Sequence, residues 1–396
     1  MANVLNQQDA YAIYNAVATQ AMGGTLANVD SSNIVSVGET LLRTGLENTL
    51  NAISYVMSKS IFSARPYKQK LASLERGEER FGMITRKITY LRSEAEPSND
   101  YNTQITGYTT QLADGNSIDM YKIKAPKAIQ TNFPGAQLYQ VHITRFRDQL
   151  RVALTNIDEF ARFWEACMVE FYNSIEDIKE AKTRVTLVNY IAGKISMSNN
   201  VVNLTTAFNT KFSTSYTRAQ LLSTYLPDFM KFVAAKIKTD SAAMTDRSTM
   251  YHANITGYSD IVRHSPKERQ KMVMYEPLFI EAESQVYSAL FNPKYLDIGE
   301  FEGVNFWQSK ATPTSINYTP NILDVSDGEA KTAGAAVTND YILGMLFDEE
   351  ALGVMNKFDY ASTTPFNSAG GYYNLYVHGK HKSYNDYTEN AIVYTV

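Results

Sequence analysis

The chain has 396 residues, 44% apolar and 20% charged, which excludes a disordered chain and suggests two or three sub-domains with cores of their own. Lys and Arg number 37 against 41 Asp and Glu, a net charge of −4, which argues against a protein whose main work is gripping nucleic-acid phosphates. One cysteine, Cys167, excludes an intrachain disulfide; no stretch reaches the roughly 18 apolar residues of a membrane span, and Met1-Ala2-Asn3-Val4 opens no export signal, so a soluble protein made in a cytoplasm is expected.

The first 60 residues predict two short amphipathic helices. Ile13, Tyr14, Val17 and Ala21 share one face, stopped by Gly23-Gly24. Leu42, Leu46, Leu50, Ile53 and Met57 form the second stripe, and the polar stretch Asn28 to Ser36 between them reads as loose. Together they suggest an arm. Residues 59–92 carry Lys59, Arg65, Lys68, Lys70, Arg76, Arg80, Arg86, Lys87 and Arg92 against Glu75, Glu78 and Glu79, a local charge of +6. The end of this run, Phe81 to Leu91, alternates Ile84, Thr85, Ile88, Thr89 and Tyr90 and predicts a strand with wet faces. Turn formers follow at Glu96-Pro97-Ser98-Asn99-Asp100. A second strand is predicted from Leu138 to Phe146, with Tyr139, Val141 and Ile143 on one side. The two strands bracket a long polar excursion, which reads as a functional protrusion or as disorder.

The strongest periodic signal follows. Asn156 and Glu159 have the spacing of an N-terminal capping pair. Phe160, Phe163, Trp164, Cys167, Met168 and Phe171 begin an apolar stripe. It continues through Ile175, Ile178, Ala181, Val185, Val188 and Ala192 to Gly193, a natural stop. This is either one helix of about 54 Å or two consecutive helices bent at Asn173-Ser174. The second half is mixed. Thr217 and Gln220 cap a helix carrying Leu221, Leu222, Tyr225, Leu226, Phe229 and Val233. Strands are predicted at Met272–Ile280, Tyr341–Phe347, Tyr372–Val377 and Ala391–Val396, with a helix at Glu281–Leu290, a pattern that suggests a sheet flanked by helices. Eleven acids (Asp297, Glu300, Glu302, Asp324, Asp327, Glu329, Asp340, Asp348, Glu349, Glu350 and Asp359) face three lysines between Tyr295 and Tyr360, a local charge of −8.

A search for chemistry finds no P-loop, no dinucleotide-binding glycine motif, no nucleophile elbow and no His-Glu-x-x-His helix. Cys167, between Trp164, Met168 and Phe171, reads as a buried thiol without an activating partner. Of the five histidines, only His378 and His381 lie close in sequence; they read as loop residues rather than metal ligands. Asp348-Glu349-Glu350 is expected to cap a helix beginning at Ala351, with a cation or acid/base cluster as the alternative. The basic run, interrupted by acids and poor in aromatics before Phe81, reads as a protein-contact surface complementary to the acidic region of a neighbouring copy, with nucleic-acid binding as the alternative. The 27 tyrosines suit extensive wet interfaces, though taken alone the count reads as compositional drift. No catalytic, cofactor-binding or metal residue is assigned. The candidate contact residues are Arg65, Lys68, Arg86, Lys87, Arg92, Asp348, Glu349 and Glu350.

This order of elements resembles the major capsid proteins of tailed bacteriophages, with their Hong Kong 97-type fold, and is most similar to those of small short-tailed phages. The resemblance rests on Val35-Ser36-Val37-Gly38-Glu39-Thr40-Leu41-Leu42, Val141 to Gly193, Met274 to Phe306 and Leu343-Gly344-Met345-Leu346-Phe347-Asp348-Glu349-Glu350-Ala351-Leu352-Gly353. It implies an α+β fold with an N-terminal arm (1–58) and an extended loop (59–150) lying across a neighbour. A spine helix of the peripheral domain (151–200), a mixed α/β axial domain (201–370) and closing strands returning to the peripheral domain (371–396) complete it. It further implies self-assembly of hexamers and pentamers into an icosahedral head enclosing double-stranded DNA without sequence-specific binding. Scaffolding and portal proteins would be partners, with no membrane, no cofactor and no enzymatic activity. Assembly would take place in the host cytoplasm and the product would be the virion. Some members carry Lys–Asn cross-links, whose site finds no match here. A portal, neck or tail-tube protein is the alternative reading, and an α/β enzyme a third.

Overall fold

The computed structural model describes residues 7–23, 29–30, 32–44, 48–49, 52, 67–76, 84–91, 120–121, 123–125, 127–134, 137–147, 157–254, 261–289, 301–322 and 332–396. In chain order the main helices are α1 (Gln7–Ala21), α2 (Ile34–Thr44), α3 (Ile157–Ser196), α4 (Leu204–Phe212), α5 (Leu226–Ala243) and α6 (Glu276–Ala289). The strands are β1 (Ile84–Tyr90), β2 (Ala128–Pro134), β3 (Gln137–Phe146), β4 (Val201–Asn203), β5 (Gln270–Tyr275), β6 (Glu302–Val304), β7 (Ile316–Tyr318), β8 (Asn321–Ile322), β9 (Thr332–Ala333), β10 (Val337–Asn339), β11 (Ile342–Asp348), β12 (Leu352–Thr363), β13 (Tyr372–Asn385) and β14 (Ala391–Thr395). They form a five-stranded sheet in the order β4-β14-β11-β5-β6, a three-stranded sheet β12-β13-β3, and the pairs β1-β2, β7-β10 and β8-β9.

Helix α3 runs unbroken for 40 residues, about 60 Å at 1.5 Å per residue. Neither Asn173-Ser174 nor Gly193 interrupts it. It contains no proline, and Lys179–Glu176 at 2.9 Å and Arg184–Glu180 at 2.7 Å brace successive turns. Asn173 instead accepts the Tyr67 backbone N–H (3.0 Å). At Gly193 a Cβ would lie 2.5 Å from Tyr387 Cζ. This glycine is the place where a tyrosine from the chain's end packs onto the helix, not a stop. The helix is long because it serves two cores. Its first half buries Phe160, Trp164 and Phe171 with Tyr14 and Val17 of α1 and Ile143, Leu375 and Val377 of the three-stranded sheet. Its second half buries Leu187, Val188, Tyr190 and Ile191 against the five-stranded sheet.

The five-stranded sheet is covered on both faces. Met345, Phe347, Val273, Ala391 and Val393 face α3, whereas Leu346, Met272, Met274, Ile392 and Tyr394 face α4, α5 and α6. The alternation is the period of two expected of a strand, and because both faces are apolar β11 and β14 are buried throughout. At the β11 irregularity beside Gly344, a Cβ would come within 2.6 Å of the Val273 carbonyl, so only glycine lets the strands approach.

Several expectations shift. Helix α2 begins inside the stretch predicted to be loose, because the Asp30 carboxylate accepts the Ser32 and Asn33 N–H groups (2.8 and 3.2 Å) and its carbonyl takes that of Ile34 (3.1 Å). It buries Ile34, Val37 and Leu41; Leu46, Leu50, Ile53 and Met57 lie outside the described residues. The Thr217–Gln220 capping box is present but closes only the turn Arg218–Leu221, and α5 then restarts at Leu226 with a proline in its first turn. The strand predicted to reach Ile280 ends at Tyr275, because Glu276-Pro277 opens α6. No helix begins at Ala351: Asp348-Glu349-Glu350 form the tight turn from β11 into β12, with Ala351 N–H bonded to Asp348 O at 2.9 Å. His378 and His381 lie within β13, not in a loop. The closing strands part company, β13 joining β3 and β14 joining β11. Asn156, the side chains of Glu159, Cys167 and Met168, and the residues Lys59, Arg65, Glu78, Glu79, Arg80, Arg92 and 94–119 lie outside the described residues, as do the acids Asp297, Glu300, Asp324, Asp327 and Glu329.

Candidate functional site

The described contact candidates fall on three pieces: Lys68 in the segment 67–76, Arg86 and Lys87 on the β1-β2 hairpin, and Asp348, Glu349 and Glu350 at the turn from β11 into β12; Arg65 and Arg92 lie outside the described residues. The hairpin pairs Ile84 with Pro134 through Tyr90 with Ala128. Adjacent residues of a strand point to opposite faces. One face turns inward, with Ile129, Thr131 and Phe133 buried. The other carries Arg86, Ile88 and Tyr90 into solvent. Arg86 and Lys87 are therefore neighbours in sequence and opposites in environment.

Lys87 points inward. Its Nζ donates to Asp386 Oδ2 at 2.7 Å and to Glu389 Oε1, and lies 3.6 Å from Glu350 Oε2. Asp386 has no exposed side-chain surface and Glu389 almost none. Both belong to the turn between β13 and β14. Arg263 completes this side: it pairs with Glu389 at 3.2 Å and donates to Thr89 Oγ1 (3.0 Å) and to the Thr388 carbonyl (3.1 Å). Asp386 is further held by the Thr388 N–H (2.9 Å) and hydroxyl (2.6 Å). Arg269 binds the β11-β12 turn, donating to Glu349 at 3.1 Å and to Glu350, with Asp348 at 3.8 Å. Asp348 Oδ1 accepts the Glu350 N–H at 2.9 Å, the hydrogen bond of a carboxylate closing its own turn. The result is a charge clamp that joins the hairpin to both turns beside the five-stranded sheet.

The electrostatics follow from burial and pairing. Burial pulls the Lys87 ammonium down, but Asp386 and Glu389 outweigh it and raise its pKa. Burial alone would raise Asp386, yet Lys87 holds it below the usual carboxylate range. For Glu389, burial wins over Lys87 and Arg263 and the pKa is raised, so this carboxyl takes a proton first on acidification. Glu350 is lowered by Arg269 and Lys87 against its burial. Each ion sits in a fixed pairing, which suits holding two pieces of chain together.

The remaining predicted residues divide. Lys68 and Arg86 are exposed. Asp348, Glu349 and Glu350 gather around Arg269 of their own chain. The opposite charges expected to meet between neighbours thus meet, for Lys87 and Glu350, inside one subunit. Segment 67–76 is likewise sewn down: Tyr67 OH donates to Glu180, Lys70 lies 4.0 Å from Glu276, Asn356 donates to Glu75 at 2.7 Å, and Arg76 N–H bonds Val354 O at 2.8 Å. A groove of about 530 Å³ opens between this segment, the middle of α3 and Phe306, but its Arg184 is already engaged by Glu180 and the Phe306 carbonyl. Among the described residues no group of three His, Cys, Asp or Glu side chains is placed to hold a metal ion. Sequence reasoning missed Arg263, Arg269, Asp386 and Glu389. The available signal was Asp386-Tyr387-Thr388-Glu389-Asn390, a polar turn with two acids between two apolar strands.

With this geometry in hand, the comparisons decide the family. A family model of Phi29-like phage major capsid proteins matches residues 12–395. The chain belongs to that family. It is a structural protein of the phage capsid, and the clamp is part of a shell subunit. A chain of the Staphylococcus phage Andhra capsid structure shares the fold at a TM-score of 0.53 and 10% identity, covering 85% of this chain and 86% of that one. A chain in a structure of the head fiber and inner core protein gp22 of native bacteriophage P68 matches with the same TM-score, identity and coverage. No curated protein matches the sequence.

Proposed function

We propose that this capsid subunit closes into an icosahedral shell as hexamers and pentamers, and that residues 59–150 reach across a neighbouring subunit as an extended loop. The observation that carries this reading is the two-sidedness of the hairpin. One face is locked by charge to its own subunit. The other leaves Ile88 55% and Tyr90 74% exposed beside Arg86. Large apolar side chains held open on an ordered strand mark a contact surface, and Met120, Tyr121 and Ile123 add to the exposed apolar side chains of this region.

Within the Hong Kong 97-type scheme, 1–58 is the arm, α3 is the spine of the peripheral domain with β12-β13-β3, and the five-stranded sheet belongs to the axial domain. β13 then returns to the peripheral domain while β14 closes the axial one. The shell encloses double-stranded DNA, and the net charge of −4 disfavours tight adhesion to it. Scaffolding and portal proteins are the expected partners during assembly in the host cytoplasm. The work of the chain is assembly, not turnover.

Electron microscopy of the purified, overexpressed chain tests the reading. Closed shells or hexamer sheets support it, whereas rings or tubes favour a portal, neck or tail-tube role. Ile88→Ser with Tyr90→Ser should leave soluble, folded subunits with a collapsed shell yield. Normal shells from this double variant would remove the hairpin face from the proposed contact.

A further inference from the structure

Among the described residues the two edges of the three-stranded sheet differ. Its β12 edge is met near its start by the chain itself: Glu75 bridges Val354 in parallel and the Arg76 N–H bonds the Val354 carbonyl at 2.8 Å. Its other edge is β3, which pairs with β13 and, among the described residues, with no other strand. The register fixes which backbone groups face outward. Arg147 N–H bonds Gly371 O, directly opposite in the same register that pairs Phe146 with Tyr372. In an antiparallel ladder hydrogen-bonded pairs alternate, so the odd-numbered residues of β3 bond β13. Leu138, Gln140, His142 and Thr144 turn their N–H and C=O groups to the open edge.

Those four residues span most of a ten-residue strand, about 33 Å long. An edge of this length is a ready template for another strand unless something blunts it. Little does here. Gln137 to Thr144 contains no Lys, Arg, Asp, Glu or Pro, and the pairing with β13 runs without a bulge. The single cation of the strand, Arg145, sits near its end over the Phe163 ring. Val141, Ile143, Thr144 and Tyr139 are strong strand formers, and Leu138 is 74% exposed.

We infer that the β3 edge is a strand-addition site whose occupant is an extended segment of a second copy of this chain. The inference rests on the shell-building reading above, which surrounds each subunit with identical neighbours. The chemistry of the edge selects an extended backbone: a row of alternating donors and acceptors recognises another strand through main-chain hydrogen bonds. The same chain already meets β12 by this means at Val354, with Glu75 and Arg76 of its own.

Two measurements test it. In the parent, hydrogen exchange of the peptide spanning 137–146 should show the even-numbered amides exposed in unassembled subunits and slowed by more than about tenfold in shells. In the variant Gln140→Pro the outward N–H is removed at a position where an edge strand tolerates proline. Unassembled subunits should keep their helix content and melting transition, while shell yield falls by about tenfold or more. Gln140→Ala, which keeps the N–H, should assemble as the parent does. Equal exchange at these amides before and after assembly overturns the inference while leaving the shell reading intact, and so does normal assembly of Gln140→Pro. Protection that another virion protein confers on unassembled subunits also overturns it, because the occupant is then not a second copy. Failure of the parent to form shells under any condition refutes the shell reading itself.

Discussion

Replacing Lys87 by Met isolates what the clamp contributes to folding. The substitution keeps most of the unbranched side chain and removes its charge, leaving Asp386 fully buried and Glu389 nearly so. Removing one partner of a buried ion pair costs about 3–5 kcal/mol, because the remaining charge stays desolvated. Arg263 still faces Glu389 at 3.2 Å, and Thr388 still gives Asp386 two hydrogen bonds. These retained contacts place the loss near the lower bound, about 3 kcal/mol. The assay is chemical denaturation of unassembled subunits followed by circular dichroism. A pH series sharpens it. In the parent the Asp386 pKa is lowered, so its stabilisation is present above the unfolded carboxyl range and is lost as pH falls through the depressed folded value. Without Lys87 both carboxyls rise, the folded state binds protons more readily than the unfolded one, and acidification relieves the penalty. The difference between parent and variant should therefore be largest near neutrality and shrink towards pH 4–5. Asp386→Asn in the Lys87→Met background should recover part of it. A loss under about 1 kcal/mol at neutral pH, unchanged on acidification, would mean that water solvates these groups and that no clamp exists. Arg86→Glu, one residue away on the exposed face, should stay within about 0.5 kcal/mol of the parent.

Three further outcomes follow from the cores. Trp164 is fully buried and stacks on Phe160 with ring centroids 5.9 Å apart, so Trp164→Ala should destabilise the unassembled subunit by about 3–5 kcal/mol; unchanged stability with failed assembly would instead make the stripe an intersubunit surface. Lys194 is buried and its amine is pulled down to about 7; because the unfolded amine still binds its proton up to about pH 10, parent stability should rise with pH between these values by up to about 1.4 kcal/mol per unit. Lys194→Met should remove that component of the slope, as urea unfolding at pH 7 and 9.5 would report. Gly193→Ala, which in an ordinary helix interior stabilises by about 1 kcal/mol, should here destabilise by about 1–3 kcal/mol through overpacking on Tyr387; in a Tyr387→Ala background the sign should reverse.

What was legible in the sequence was whatever repeats with a structural period. The stripe from Phe160 to Ala192 foretold α3, the alternation of Leu138–Phe146 foretold β3, and the continuous apolar run Ala391–Val396 foretold β14. Two kinds of information were not legible. The first is which of two local conformations tertiary contacts select. Asp348-Glu349-Glu350-Ala351 fits a helix start as well as a turn, and the choice is made by Asn390 O, which takes the Asp348 N–H at 2.9 Å, and by Arg269, some 80 residues upstream. Gly193 fits a helix stop as well as a tight approach, and Tyr387 decides it. The second is which face a charge occupies. A count of +6 over 59–92 treats Arg86 and Lys87 alike, whereas the strand sends one to solvent and the other to carboxylates about 300 residues further along the chain.

That division of charge changes how assembly should be understood. Of the described cations in the basic run, Lys87 is neutralised inside the subunit, Lys70 lies near Glu276, and Arg76 rests 6.0 Å from the centre of the Tyr384 ring. Lys68 and Arg86 stand exposed there, and so does Lys70 beside Glu276. On the acidic side, Asp348, Glu349 and Glu350 already share Arg269. A charge satisfied within its own chain can steer a neighbour only weakly, since its field is cancelled at short range and screened beyond about 8–10 Å. On the proposed reading, the described part of the hairpin offers a neighbour Ile88 and Tyr90 beside Arg86. Its charges fix the hairpin to its own subunit, so that on the proposed reading its exposed face is held in place before a neighbour arrives, which lowers the ordering cost of that contact.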